Sequence, residues 1–262
     1  VNNVINISWW QLATFSLVLL IPLTVNKTYQ LGIGKEILVS VGRMALQLFL
    51  VGAYLEYLFT LNNVWINLLW LLTMISIGAS SIISKTRLPR KKLFLPIMVG
   101  LAVGLFPVII ILCVAIVKPS PWYSTQYLIP LAGMLLGNSI SSTIVALQNL
   151  FNAFEERRSE YEAAISLGAS PRYASQDFVR NALRKANAPI LASMATVGLV
   201  TLPGMMTGQI LGGTSPLIAI KYQLMIMIAI FTMMTISLTL SINLALKAAL
   251  TKEGRVSIKF IN

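Results

Sequence analysis

Histidine is absent from this chain, cysteine occurs once, as Cys113, and only eight of its 262 residues are acidic. Without histidine it lacks the usual general base and the commonest metal ligand. A single thiol excludes a disulfide framework or a multi-thiolate metal site within one chain. Charged residues make up 11% of the sequence, against about a quarter in soluble domains. No G-x-x-x-x-G-K-[ST] loop is present. Gly32-Ile33-Gly34-Lys35-Glu36 has neither its spacing nor its hydroxyl, so the chain is not expected to be an ATPase or to bind a cofactor itself.

What it has is apolar sequence: 56% hydrophobic residues and a mean hydropathy of +0.79. So few charges cannot cover that much apolar surface in water; lipid is the solvent that suits it. The net charge of +12 does not point to nucleic acid, because the basic residues sit in short clusters between apolar runs. The start of the chain has no basic region or small-residue cleavage site, so the first apolar stretch is expected to be retained.

A helix needs roughly 20 apolar residues to cross the hydrocarbon core. Seven stretches qualify: 9–25, 37–59, 64–84, 93–117, 126–150, 189–212 and 217–246. The expected fold is therefore an all-α, multi-pass integral membrane protein of about seven transmembrane helices, in the cell (inner or plasma) membrane. The basic residues orient it. Lys27 and Lys35; Lys85, Arg87, Arg90, Lys91 and Lys92; Arg157, Arg158, Arg172, Arg180, Arg184 and Lys185; and Lys247, Lys252, Arg255 and Lys259 fall in four segments on one side. Only Arg43, Lys118 and Lys221 fall elsewhere. The bias puts the N-terminus outside and the C-terminus in the cytoplasm. Trp9, Trp10, Tyr57, Trp65, Trp122, Tyr123 and Tyr127 then form an outer interfacial belt.

One connection is long. Residues 152–188 hold five of the eight acids, and Phe154, Tyr161 and Ile165 fall on one helical face. Gly168 reads as a helix stop, Ser170 as an N-cap and Pro171 as the first residue of a new helix. That helix is expected to continue to about Lys185, with Ala174, Phe178 and Ala182 in line. The insert is thus a cytoplasmic helix, turn and helix.

Several residues are candidates for a transport path. Arg43 lies inside the second span with Gln47 one turn on, on the same face. A charge there faces protein or a cavity, or snorkels to the surface. Pairing with Glu36 or Glu56 of another helix, or with an anionic ligand, would suit it. Asn138, Ser142 and Asn149 share a face of span five and either line a path or bond neighbouring helices. Gly133-x-x-x-Gly137 and Gly204-x-x-x-Gly208-x-x-x-Gly212 are ridges for close packing, one of them a dimer contact. Pro203 and Gly204 kink span six, and freed carbonyls in such a helix can face an ion site. Met205 and Met206 adjoin that kink; their thioethers are either soft metal ligands or core filler. Lys221, Tyr222 and Gln223 open span seven as an outer gate or anchor.

The string Glu162-Ala163-Ala164-Ile165-Ser166-Leu167-Gly168-Ala169-Ser170-Pro171 resembles the coupling loop of ABC-transporter permeases, E-A-A, three residues, then Gly. Val179-Arg180 stands where many members have Leu-Pro. More of the chain resembles the FetB iron-export permease family: Val41-Gly42-Arg43 with Gln47, Ile129–Met134 with Gly137-Asn138, Ser166–Pro171, Thr196–Gly208 with its Leu-Pro-Gly-Met-Met run, and Ala219–Gln223. That family includes bacterial iron exporters and plant aluminium-tolerance half-transporters linked to UDP-glucose. The resemblance implies a non-enzymatic permease, dimeric in the membrane and driven by a separate cytoplasmic ATPase that carries the ATP and Mg. It implies that the insert docks on that ATPase. Iron or another metal is the implied cargo, and an anionic nucleotide-sugar such as UDP-glucose is the alternative. A membrane-embedded enzyme and a stand-alone channel are weaker readings.

Overall fold

Residues 6–251 and Arg255 are described by the structure, a computed structural model. Of the expected C-terminal basic cluster, Lys252 and Lys259 lie outside the described residues. Every regular element is helical, and no strand occurs among the described residues. Hydrocarbon offers the backbone no water to bond, so an open chain that crosses it must be helical. Among the described residues six helical runs are long and apolar enough to cross a membrane: Trp9–Thr28, Gly34–Leu61, Val64–Thr86, Arg90–Val117, Thr125–Glu156 and Pro216–Ala249. They coincide with six of the seven expected stretches.

The seventh, 189–212, is not one continuous helix. A helix runs over Gln176–Thr196, residues 197–203 are not helical, and a second helix covers Gly204–Leu211. The kink expected at Pro203 is thus a full break. Gly198 takes φ +87°, its N–H donates to the Thr201 carbonyl (2.9 Å), and Val197 bridges Thr201. Pro203 then has no N–H with which to resume a helix. The boundary expected at 188 is absent too, because Pro189 lies inside the first of these helices.

The chain forms two compact units. The first comprises residues up to Leu61 together with Gly208–Thr214. Its helices are α1 (Trp9–Phe15), a 3-10 turn (Ser16–Leu19), α2 (Leu20–Thr28) and α3 (Gly34–Leu61). Ser8 and Gln11 cap α1 reciprocally. Asn26 accepts from the Ile33 N–H (2.9 Å) and closes the turn between α2 and α3. Apolar side chains such as Trp9, Phe15, Leu48 and Phe49 are exposed on the single chain, as befits a surface that meets lipid or another chain.

The second unit holds α4 (Val64–Thr86), α5 (Arg90–Ile110) with a π-helical extension (Ile111–Val117), α6 (Thr125–Glu156), α7 (Arg158–Ser166), α8 (Pro171–Ala174), α9 (Gln176–Thr196) and α11 (Pro216–Ala249). The short α10 (Gly204–Leu211) straddles the division between the units. The π register follows Pro107, whose missing N–H interrupts the α ladder. Ile75, Ile82, Leu93, Ile97, Leu101, Leu135 and Leu147 are fully buried between α4, α5, α6 and α11. At one end Thr125 Oγ1 donates to Asn67 Oδ1 (2.9 Å) and Asn67 Nδ2 donates to the Tyr123 carbonyl (2.8 Å). This buried network ties the starts of α4 and α6 together. Toward the other end Gln148 Nε2 donates to the Lys85 carbonyl (3.2 Å).

The closest helix crossing is α5 on α11. A Cβ on Gly100 would lie 2.2 Å from Ser241 Oγ, 3.0 Å from the Ser241 nitrogen and 3.2 Å from the Ser237 carbonyl. One on Gly104 would lie 2.1 Å from Ser237 Oγ. Gly100-x-x-x-Gly104 is therefore the ridge used inside the chain. The ridges expected at Gly133/Gly137 and Gly204/Gly208/Gly212 make no such crossing: Gly137, Gly204 and Gly208 have nothing within 4 Å of a Cβ. Gly100→Ala is expected to destabilise the second unit by about 1–3 kcal/mol, the usual cost of overpacking. Gly137→Ala should leave it unchanged. Thermal unfolding in detergent, with both variants compared to the parent, checks the pair; equal melting temperatures would contradict the crossing.

Candidate functional site

The insert begins where α6 ends. Arg157 breaks the helical path (φ −112°, ψ 32°), so Phe154 belongs to α6 and Tyr161 to α7. They are not on one helix, as their spacing suggested, but their rings still meet. Phe154 and Tyr161 centroids are 5.1 Å apart and Phe154 and Phe178 centroids 5.2 Å apart, both pairs nearly perpendicular. All three rings are buried. The Arg157 guanidinium lies 4.8 Å over the Phe178 ring and donates to Glu160. Those hydrogen bonds, ahead of the charges nearby, raise the Arg157 pKa above its ordinary value.

Glu162, Ala163 and Ala164 lie on α7. Glu162 accepts from Arg158 Nε (2.7 Å), an exposed pair on the helix surface. Gly168 takes φ +91°, a conformation suited to glycine. Its N–H donates to the Ile165 carbonyl (2.9 Å), and the Ala169 N–H reaches the Ala164 carbonyl (3.0 Å). This is a Schellman stop. Ser170 caps α8 by accepting from the Tyr173 N–H (3.3 Å), and Pro171 opens that helix. The second helix is not continuous as expected. Ser175 Oγ donates to the Pro171 carbonyl (2.8 Å) and ends α8 after one turn. From Gln176, α9 runs on past the insert, burying Phe178, Ala182 and Ala186. Leu167 (89% exposed) and Tyr173 (71% exposed) flank the turn as bare apolar side chains, which no sequence pattern singled out.

Pro203, Met205 and Met206 are half-buried and Gly204 is exposed at the start of α10. The Pro203 carbonyl accepts from both the N–H (3.0 Å) and Oγ1 (3.1 Å) of Thr207. Among the described residues no group of three or more His, Cys, Asp or Glu side chains is placed to hold a metal. The donors at the break are backbone carbonyls, the hydroxyls of Thr196 and Thr201, and the two thioethers.

Arg43 and Gln47 are exposed on α3, in the other unit. Glu36 and Glu56 are on α3 itself, not on another helix, and at 1.5 Å per residue they stand about 10 and 20 Å from Arg43 along the axis. Arg43 makes no ion pair among the described residues. On α6, Asn138 and Asn149 donate back to the carbonyls of Met134 and Val145. Ser142 Oγ instead donates to Met234 Sδ of α11 (2.9 Å). Lys221 is exposed, Tyr222 half-buried, and Gln223 buried, its Oε1 without a hydrogen-bond partner among the described residues.

Residues 9–250 match the family described as "Uncharacterised protein family (UPF0014)". A relative from Synechocystis, "UPF0014 membrane protein slr1647", is 38% identical over 81% of this chain and 83% of its own. "Probable iron export permease protein FetB" of Escherichia coli is 34% identical over 84% of each chain. "Protein ALUMINUM SENSITIVE 3" of Arabidopsis thaliana is 36% identical over 80% of this chain and 76% of its own. No solved structure matches the chain.

Burial holds the Tyr161 phenol above its ordinary pKa of 10.0. A folded-state pKa raised in this way leaves the cluster's stability intact below pH 10.0 and erodes it as pH climbs beyond. In a difference titration of the parent against Tyr161→Phe, the lost tyrosinate signal should appear above pH 10.0. Ionisation at or below that value would mean the ring is not buried.

Proposed function

The chain belongs to the UPF0014 family of membrane proteins, and on that premise we propose that it is the permease subunit of an ATP-driven exporter of iron or another metal. The observation that carries the reading is the elbow at Gly168. A short helix closed by a Schellman stop presents Leu167 and Tyr173 to solvent, beside a helix that continues toward the broken segment. A compact, cap-defined turn with bare apolar side chains suits docking in a groove of a separate ATPase. In this reading the N-terminus is outside, the insert is cytoplasmic, and two permease copies pair with two ATPase subunits. The broken segment counts as the seventh crossing. ATP binding closes the ATPase pair, the elbow follows, and the membrane helices change between inward- and outward-open states. Cargo passes the break at residues 197–203, where carbonyls, the Thr201 hydroxyl and the thioethers of Met205 and Met206 are the available donors.

Arg43 favours one alternative cargo. A guanidinium repels a metal cation and attracts an anion, and its own helix brings no carboxylate within reach. An anionic nucleotide-sugar such as UDP-glucose would suit it.

Reconstitution with the cognate ATPase separates these readings. Ferrous iron is expected to stimulate ATP hydrolysis and UDP-glucose is not. The reverse result moves the cargo to the anionic class, and stimulation by neither removes both. Gly168→Pro should abolish stimulation while the protein still inserts. Proline cannot take φ +91° and has no N–H for the Ile165 carbonyl. Full stimulation in that variant would sink the role of the elbow.

A further inference from the structure

We propose that Phe154, Tyr161 and Phe178, closed by Arg157, form a rigid clamp that transmits motion of the insert into α6 and α9, and that the insert swings toward α11. The proposal rests on the reading of the insert as the ATPase contact.

The clamp joins three helices. Phe154 comes from the end of α6, Tyr161 from α7 and Phe178 from the first turn of α9. Their exposures are 4%, 2% and 2%, and the perpendicular ring contacts leave little room to slide. Arg157 holds the cluster's outer side, since its guanidinium covers Phe178 while Glu160 fixes it. A close-packed interior of this kind passes displacement on rather than absorbing it.

The opposite flank of the insert is open. A cavity of about 420 Å³ separates it from α11, with Tyr173, Gln176 and Val179 on one wall and Asn243 and Leu246 on the other. The insert is therefore stiff where it meets α6 and yielding where it meets α11. A push on the Gly168 turn displaces α7, α8 and the start of α9 as one block, and the cavity is the space that block can enter. Helix α9 stays helical as far as Thr196, with one ladder hydrogen bond missing at Pro189, so the displacement is delivered along it to residues 197–203. Phe154, Arg157, Tyr161 and Phe178 act here as positioning residues, since they touch neither cargo nor nucleotide.

The test uses the full chain in nanodiscs with its ATPase, Cys113→Ala, and the pair Gln176→Cys and Asn243→Cys across the cavity. A short bifunctional thiol reagent should cross-link this pair several-fold more when the ATPase is trapped with ATP than when it is nucleotide-free. Phe178→Leu should lose that difference with the ATPase still bound, and Tyr161→Phe should keep it. Should Phe178→Leu not reach the membrane, Arg157→Gln retains every ring and is expected to diminish the difference. Equal yields with and without ATP in the parent, ATPase bound, overturn the proposal alone, as does a full difference in the clamp variant that inserts. Failure of the ATPase to co-purify overturns the function reading and the proposal with it.

Discussion

A peptide group in hydrocarbon has no water to bond, and each one left unpaired costs several kcal/mol. That constraint organises the chain. It makes every described crossing helical, and it makes any unwound stretch exceptional. Residues 197–203 are such a stretch, in which the N–H groups of Val197, Leu199, Val200 and Thr201 reach back to the carbonyls of Ser193 and Thr196, that of Gly198 donates to Thr201, and Pro203 brings no donor at all. Non-helical backbone at membrane depth is tolerated where protein or a cavity satisfies it. In the proposed reading the break is where solute and backbone meet, and the polar side chains of the other helices are secondary to it.

Where lipid provides no drive for helices to associate, close approach and buried polar contacts do the work. Gly100 and Gly104 let α5 lie against Ser237 and Ser241 of α11, and Asn67 with Thr125 ties the loop ends. The insert is held differently, by rings and a guanidinium, as a small water-facing core would be. Its aromatic centre is stiff and its turn is pinned by backbone hydrogen bonds. A cavity lies between it and α11. Stiffness joined to a free direction is what a mechanical link needs.

Local chemistry was readable in the sequence. Six apolar stretches, the Gly168 stop, the Ser170 cap and the Pro171 start each depend on neighbours a few residues away, and all appear in the structure. Features set by distant partners were not readable. Small residues occur on several helices, and spacing drew attention to Gly133, Gly137, Gly204 and Gly208 while Gly100 and Gly104 make the close crossing. Pro203-Gly204 signalled a kink, but the extent of the break depends on the left-handed Gly198 and its bond to Thr201. Phe154, Tyr161 and Phe178 are each legible as apolar, yet their convergence follows from the turn at Arg157. Glu36 and Glu56 are the acids nearest Arg43 in sequence, and the continuity of α3 puts them out of its reach.

ATP-driven export through this chain is the activity proposed for it. Inside-out vesicles carrying the chain and its ATPase should accumulate ferrous iron when ATP is supplied and stop when it is withheld, with UDP-glucose unmoved in parallel. Iron entry at the same rate without ATP would make the protein a channel or a secondary carrier and contradict the central claim.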